Sequence, residues 1–399
     1  MPTEEPAPQG RTPVELSIVM PCLNEAETLE ACILKATRFL AASGISGEIV
    51  IGDNGSSDGS IELAGRNGAR VVNVPVRGYG AAIYHAVLAA EGRLVIVGDS
   101  DGSYDFSALG PFIEKLREGY ELVVGNRFQG GIRPGAMPWK NRYLGNPFLS
   151  GVGRVLFHCP ARDFHCGLRG FSIDAFRRMD LRTTGMEFAS EMVIKSTLLG
   201  MRIAEVPTTL NPDGRSRPPH LRPWRDGWRH LRFMFLYSPR WLFVIPGLLM
   251  MLAGSLAAGA LWRGDVAVGN IHFGVHTMLY AAILVIAGYQ TVTFGVFTKV
   301  FADMEGLLPE DQRFNRIFRY VTLESGLAVG FALLALGAAA SLYAVDYWRS
   351  TAFGPLNPER VLRLVIPAAF AFLLGCQTVL SSLFLSVLGL RVRRLQPNR

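Results

Sequence analysis

The stretch Arg93–Phe106, RLVIVGDSDGSYDF, runs four apolar residues directly into three aspartates within seven positions. A run such as Leu94–Val97, apolar on both faces, is what a strand buried on both sides of a parallel sheet requires. The acidic turn after it has two readings. Asp, Gly and Ser are ordinary turn formers, and carboxylates one residue apart can also converge on a hard cation. A lone D-x-D does not choose between them, so the surrounding chain decides.

Working outward, the first 130 residues repeat the same unit. Short β-rich runs at Leu16–Pro21, Glu48–Asp53, Ala69–Pro75, Arg93–Asp99 and Glu121–Arg127 alternate with helical segments near 26–42, 60–66, 80–92 and 106–119. Strands of this kind separated by helices imply an α/β, Rossmann-like, mostly parallel sheet. Ligands of such sheets bind beyond the carboxyl ends of the strands. Those ends read PCLNE (Pro21–Glu25), GDNGSSDG (Gly52–Gly59), GDSDGSYD (Gly98–Asp105) and GNR (Gly125–Arg127). One acidic turn is unremarkable, but four polar strand ends on one rim make a site.

Six segments in order resemble the motifs of inverting GT-A glycosyltransferases of family 2. They are SIVMPCLNEAETL, EIVIGDNGSSDGS, VGDSDGSYDF, LVVGNRF, DFHCGLRGFSIDAF and GMEFASEMVIKSTLLGMRIAEVP, and they span roughly residues 14–220. The branch they resemble most is the dolichyl- or polyprenyl-phosphate sugar synthases. That resemblance implies transfer of a sugar from a UDP- or GDP-linked donor to a polyprenyl phosphate at the cytoplasmic leaflet, with Mg²⁺ or Mn²⁺ as cofactor. It implies a donor site from Pro21, Leu23, Glu25, Ile51, Asp53, Asp99, Ser100, Asp101, Arg127 and Arg217, with the metal on Asp99, Asp101 and Ser103. Arg127, Arg169, Arg215 and Arg217 are the candidates for the acceptor phosphate, and Asp163 for orienting an arginine or touching the sugar. Asp101, Arg127, Asp163 and Arg169 form the expected catalytic group. The chain departs from the family pattern at Leu23, Asn54, Ser103 and Asn211, so the resemblance leaves the sugar and the nucleotide base open.

The chemistry supports the same residues. Cleaving a nucleotide sugar develops negative charge on the leaving diphosphate, which a divalent cation neutralises. A phosphate acceptor is already anionic, so positioning and charge screening matter more than a strong general base. An Asp163–Arg169 ion pair would be purely structural. Glu187 and Glu191, at i and i+4 on one helix face, would be a solvated face or an arginine's partners.

Beyond Arg240 the composition changes. Segments near 241–262, 276–298, 325–345 and 364–390 carry few or no charges, and each is long enough to cross a hydrocarbon core of roughly 30 Å. Before the first lies LRPWRDGWRHLRFMFLY (Leu221–Tyr237), whose mixed arginines and aromatics suit an interfacial amphipathic helix at 221–240. Arginines crowd that segment, the loop after the second span (Arg313, Arg316, Arg319, with Lys299) and the tail (Arg391, Arg393, Arg394, Arg399), whereas the loop between the first two spans has only Arg263; the loop between the third and fourth is less clean, with Arg349, Arg360 and Arg363. Residues 1–13 read as a disordered lead, 14–220 as the catalytic domain, 241–390 as four spans and 391–399 as a basic tail. The positive-inside rule then puts both termini in the cytoplasm of a multi-pass plasma-membrane protein.

The net charge of +7 rests on arginine, whose planar fork suits phosphates. Because the basic cluster abuts a membrane span, lipid headgroups are the expected partner and nucleic acid is not. Homo-oligomerisation is left open. Five cysteines with no C-x-x-C pair suit reduced thiols. Two rival readings stand beside the main one. A processive polysaccharide synthase would carry Q-x-x-R-W before a span, and here YSPRW (Tyr237–Trp241) lacks the glutamine. A non-catalytic nucleotide-binding scaffold would have no need of both Asp99 and Asp101.

Overall fold

The computed structural model describes residues 13–216, 223–304 and 322–389. The expected lead, Arg217, the arginines of the 305–321 loop and the basic tail lie outside the described residues. The chain divides into two compact units between Met234 and Phe235.

The first unit follows the order β1 (Leu16–Cys22), α1 (Leu29–Ser43), β2 (Gly47–Asp53), α2 (Ser60–Arg66), β3 (Arg70–Asn73), α3 (Tyr79–Ala89), β4 (Leu94–Val97), α4 (Gly110–Arg117) and β5 (Leu122–Asn126). It continues with α5 (Arg127–Gly130), a π-helical turn at Asn141–Gly145, α6 (Asn146–Phe157), β6 (Arg169–Ser172), α7 (Ile173–Met179), α8 (Phe188–Leu198), β7 (Ile203–Pro207) and α9 (Pro223–Leu236). Seven strands form one sheet in the order β3-β2-β1-β4-β6-β5-β7. All pairings are parallel except those of β6, which runs against both β4 and β5. This is the mostly parallel, GT-A-like sheet expected, with β6 and β7 added beyond the five strands legible in the alternating pattern.

Local sequence explains the elements that carry the rim. Every residue of β4 is buried, as its unbroken apolar run requires. Helix α1 buries Leu29, Cys32, Ile33 and Ala36, one face of a 3.6-residue period, and ends on Gly44 in the left-handed region at φ 66°. Helix α3 lies so close to β2 that a methyl group at Gly52 would stand 2.4 Å from the Ala82 carbonyl oxygen. Helix α9 turns Asp226, His230 and Met234 inward while Trp224 and Trp228 stay exposed.

The second unit begins with a π-helical turn at Arg240–Val244 and α10 (Ile245–Leu261), then the hairpin β8 (Val266–Val268) and β9 (Ile271–Phe273), α11 (Val275–Met304), α12 (Leu323–Ser350) and α13 (Pro358–Gly389). Among the described residues, four stretches, Arg240–Leu261, Val275–Met304, Leu323–Ser350 and Pro358–Leu388, are long and apolar enough to cross a membrane. They form two tight helical hairpins, α10 with α11 and α12 with α13. Within each, glycines let backbones touch: a Cβ on Gly288 would come 2.6 Å from the Gly247 carbonyl oxygen, and one on Gly375 would come 2.9 Å from that of Gly330. Small residues at a helix seam are how membrane helices gain van der Waals contact without a hydrophobic driving force. Between the hairpins, the Tyr289 and Thr378 hydroxyls lie 3.0 Å apart.

Candidate active site

The ends of β1, β2 and β4 are laced together by side chains of their own loops. Ser100 Oγ donates to the Pro21 carbonyl at 2.7 Å, and Thr28 Oγ1 donates to the Ser100 carbonyl at 2.8 Å. Asn24, in the left-handed region at φ 58°, accepts from the Ser57 amide at 2.8 Å, while the Glu25 amide donates to Ser60 Oγ at 2.9 Å. Asp53 Oδ2 accepts from the Gly55 and Ser56 amides at 2.8 and 3.1 Å. Asn54 donates to the Val74 and Val76 carbonyls and accepts from the Gly78 amide at 2.7 Å. That task needs a donor and an acceptor on one side chain, which an aspartate could not supply. The departure at Asn54 therefore has a structural reason.

On the acidic turn, Asp99 Oδ1 accepts from the Tyr79 hydroxyl at 2.9 Å. Oδ2 of the same carboxylate lies against Gly167, where a Cβ would meet it at 2.3 Å. Burial, with the Asp101 charge second, pushes the Asp99 carboxyl up to about 7. Asp101 Oδ1 accepts from the Ser103 amide at 3.0 Å, and Oδ2 accepts from Arg215 at 2.9 Å. Arg215 also reaches Glu25 at 3.2 Å and Asp213 at 3.0 Å. Burial works against its charge, and the surrounding carboxylates outweigh that and raise its pKa. The loop carrying Arg215 is tied to the turn by backbone as well: the Gly214 amide donates to the Asp101 carbonyl at 2.9 Å and the Asn211 amide to that of Ser103 at 2.9 Å.

Four expectations change. Arg127 spends its fork on Asp163, with Nε at 2.8 Å and a terminal nitrogen at 2.7 Å, and Asp163 is fully buried. Asp163 thus orients an arginine, as one of its two expected roles has it, but that arginine is Arg127 and the structural pair with Arg169 is not formed. Arg169 is buried and gives its guanidinium to the carbonyls of Cys166 at 2.7 Å, Phe164 at 2.6 Å and Ala189. It braces the segment Phe164–Cys166 against α8 and is not free for an acceptor phosphate. Ile51 is a core side chain in mid-strand, 1% exposed, so it cannot line a donor site. Glu191 is no solvated residue: it is wholly buried, accepts from the Arg182 and Thr183 amides, and pairs with Lys195 at 3.0 Å. Its helix neighbour Glu187 instead pairs with Arg229 of α9 at 3.1 Å.

Pro21, Leu23, Glu25, Asp53, Asp99, Ser100, Asp101, Ser103 and Arg215 do share one rim. Sequence reasoning missed Tyr79 and Asp213 there. The signal for Tyr79 was available in RGYGAA: glycines on both sides clamp it, since a Cβ on Gly78 would meet the Thr184 carbonyl oxygen at 2.1 Å and one on Gly80 the Phe188 Cβ at 2.6 Å. Among the described residues no three His, Cys, Asp or Glu side chains gather as a metal cage. The donors are two hard carboxylates on one turn, with the Arg215 guanidinium already balancing one of them. Such a set fits a divalent cation that completes its shell with diphosphate oxygens and water.

The model of glycosyl transferase family 2 matches residues 17–179, and that of the glycosyltransferase family 2 C-terminal transmembrane region matches residues 296–389. The chain is 36% identical over 376 residues to the low-salt glycan biosynthesis hexosyltransferase Agl6 of Haloferax volcanii, covering 94% of this chain and 89% of that one. It is 30% identical over 194 residues to the dolichyl-phosphate hexose transferase of the same organism, covering 48% of this chain and 81% of that one. Among solved structures, glucosyl-3-phosphoglycerate synthase of Mycobacterium tuberculosis, in complex with Mn²⁺ and UDP, aligns with TM-score 0.43 at 24% identity over 56% of this chain and 77% of that one.

Proposed function

The chain belongs to glycosyltransferase family 2 as a multi-pass membrane member, and we propose that it moves a hexose from a UDP- or GDP-linked donor to a polyprenyl phosphate at the cytoplasmic leaflet of the plasma membrane. The observation that carries the reading is the Asp99–Asp101 turn facing Arg215 at the carboxyl ends of the strands. The dolichyl-phosphate hexose transferase among its relatives supports the acceptor class. The arginines before the first span, in the 305–321 loop and in the tail support the orientation.

In this reading Asp99 and Asp101, with Ser103 beside them, hold Mg²⁺ or Mn²⁺, which when bound neutralises charge on the leaving diphosphate. Pro21, Leu23, Glu25, Asp53 and Ser100 line the donor nucleotide. Tyr79 fixes the rotamer of Asp99. An acceptor phosphate oxygen attacks the anomeric carbon as the bond to the diphosphate breaks, which inverts the configuration and needs no proton removed. Arg215 and Arg217 screen the phosphates. Arg127, neutralised and locked by Asp163, braces the end of β5 and the segment carrying Asp163 rather than acting as a free phosphate-binding cation.

The test is transfer by the full-length protein in detergent with Mn²⁺ or Mg²⁺ and undecaprenyl phosphate, with UDP-glucose, GDP-mannose and UDP-N-acetylglucosamine supplied separately. A one-sugar lipid product is expected from one donor. A long water-soluble polymer would replace the reading with a processive synthase. Absence of metal-dependent nucleotide binding would replace it with a scaffold.

A further inference from the structure

The membrane unit contains a cleft of about 530 Å³ between its two hairpins. Its walls come from all four long helices, among them Ser255, Ala258 and Trp262 of α10 and its end, Met278 of α11, Leu333 of α12 and Phe370 of α13. The reason for the cleft lies in the packing. Glycine seams bring α10 onto α11 and α12 onto α13 at backbone contact, whereas the hairpins meet each other mainly along α11 and α13. Helices α10 and α12 are left apart, and the gap falls between them. Its volume lies within the range of small-ligand sites, roughly 300–1,000 Å³. An apolar void of that size forfeits dispersion contacts along its whole lining unless hydrocarbon fills it.

Among the described residues, one cation lines this cleft. Arg263, just past the end of α10, is a lining residue and makes no hydrogen bond or ion pair among the described residues. Nearby Arg363 is different: it is neutralised by Asp265 at 2.5 Å and also donates to the Leu261 carbonyl at 3.2 Å. Around this end of the bundle, Arg263, Arg349, Arg360 and Arg363 outnumber Asp265, Asp346 and Glu359. Trp262, 56% exposed, sits beside Arg263, as aromatic side chains do at headgroup depth. The cleft therefore offers an apolar slot for a chain and an unneutralised guanidinium for an anion.

We infer that the cleft is a binding site for an anionic phospholipid of the leaflet at which α10 ends, with its phosphate on Arg263 and one acyl chain between the hairpins. From Ile245 to Leu261, α10 rises roughly 25 Å at 1.5 Å per residue. The bound headgroup therefore lies at the opposite membrane face from the one at which α10 begins. The lipid acts as a wedge between α10 and α12 and is separate from the acceptor.

The experiment measures thermal stability of the detergent-purified full chain titrated with phosphatidylglycerol, phosphatidylcholine or undecaprenyl phosphate, with native mass spectrometry counting the lipid retained. Phosphatidylglycerol is expected to bind saturably at one molecule per chain. Its preference over phosphatidylcholine should be on the order of fivefold, the worth of one arginine at a charged membrane surface. Arg263→Gln should erase that preference while leaving the chain folded, and Ala258→Phe should reduce lipid retention with either headgroup. Equal binding of the two phospholipids, or a preference that survives Arg263→Gln, overturns the inference. So does retention unchanged by Ala258→Phe, or undecaprenyl phosphate binding in place of phosphatidylglycerol.

Discussion

Arg215 donates to Asp101 Oδ2 at 2.9 Å and so occupies, with a guanidinium, the carboxylate through which this turn would hold a cation. Guanidinium and metal compete for one oxygen. In the nucleotide-free protein Arg215→Gln should tighten Mn²⁺ binding several-fold, read by the electron paramagnetic resonance of free Mn²⁺. The same variant should slow transfer, because the arginine is lost as a phosphate screen. Unchanged Mn²⁺ affinity would mean that the pair is only structural.

Asp101→Asn should lower transfer on the order of a hundredfold or more, the scale of removing a preorganised charge-stabilising group. Metal-dependent binding of the nucleoside diphosphate should go with it, while a thermal melt in detergent stays within a few degrees of the parent. Persistent activity would remove the metal assignment.

Tyr79→Phe tests the brace on Asp99. A hydrogen bond to a charged acceptor contributes about 1.5–3 kcal/mol, so Mn²⁺ affinity with nucleotide present should fall roughly 10- to 100-fold. Nucleotide binding in EDTA should not change. Equal losses in both measurements would instead point to a general loosening of α3.

Breaking the Arg127–Asp163 pair should be structural before it is chemical. Asp163→Ala leaves a buried guanidinium uncompensated, which costs about 3–5 kcal/mol. The thermal midpoint should drop clearly, and a double variant, Arg127→Met with Asp163→Ala, should recover part of it. If the single variant melts like the parent while transfer is lost, the pair belongs to the chemistry.

His230 of α9 meets the His165 ring edge-on, with centroids 4.6 Å apart, and Ser190 Oγ lies 2.8 Å from His230 Nδ1. Burial holds His165 well below its ordinary range and His230 down to about 4. The unfolded chain therefore takes up protons, near pH 6.5 for histidine, that the folded chain refuses. Stability should be fully present above that value and fall as pH drops from about 6.5 towards 4. His230→Gln, which keeps a partner for Ser190, should flatten the fall; an equally steep fall would assign acid lability to other groups.

How much of this was legible in sequence differs by element. The runs at Leu16, Glu48 and Arg93 announced buried parallel strands because both of their faces are apolar. By contrast, β6 is RGFS, four residues with no period, and its antiparallel insertion between β4 and β5 depends on tertiary pairing alone. The acidic turn was readable as chemistry because D-x-D is local. The fates of Arg127 and Arg169 were not, because a sequence does not say which of several arginines finds a carboxylate 36 positions away and which finds three carbonyls.

The glycine seams have a consequence for how the membrane half is made. Gly247 and Gly288 sit in neighbouring helices, as do Gly330 and Gly375, so each hairpin can close as soon as its second helix emerges from synthesis. Contacts between sequence-adjacent elements form fastest, and each pair is complete before the other is needed. Assembly by joining two finished halves is the order this packing favours, and a substitution that widens one seam should lower the yield of inserted protein while leaving the chemistry of whatever does assemble intact.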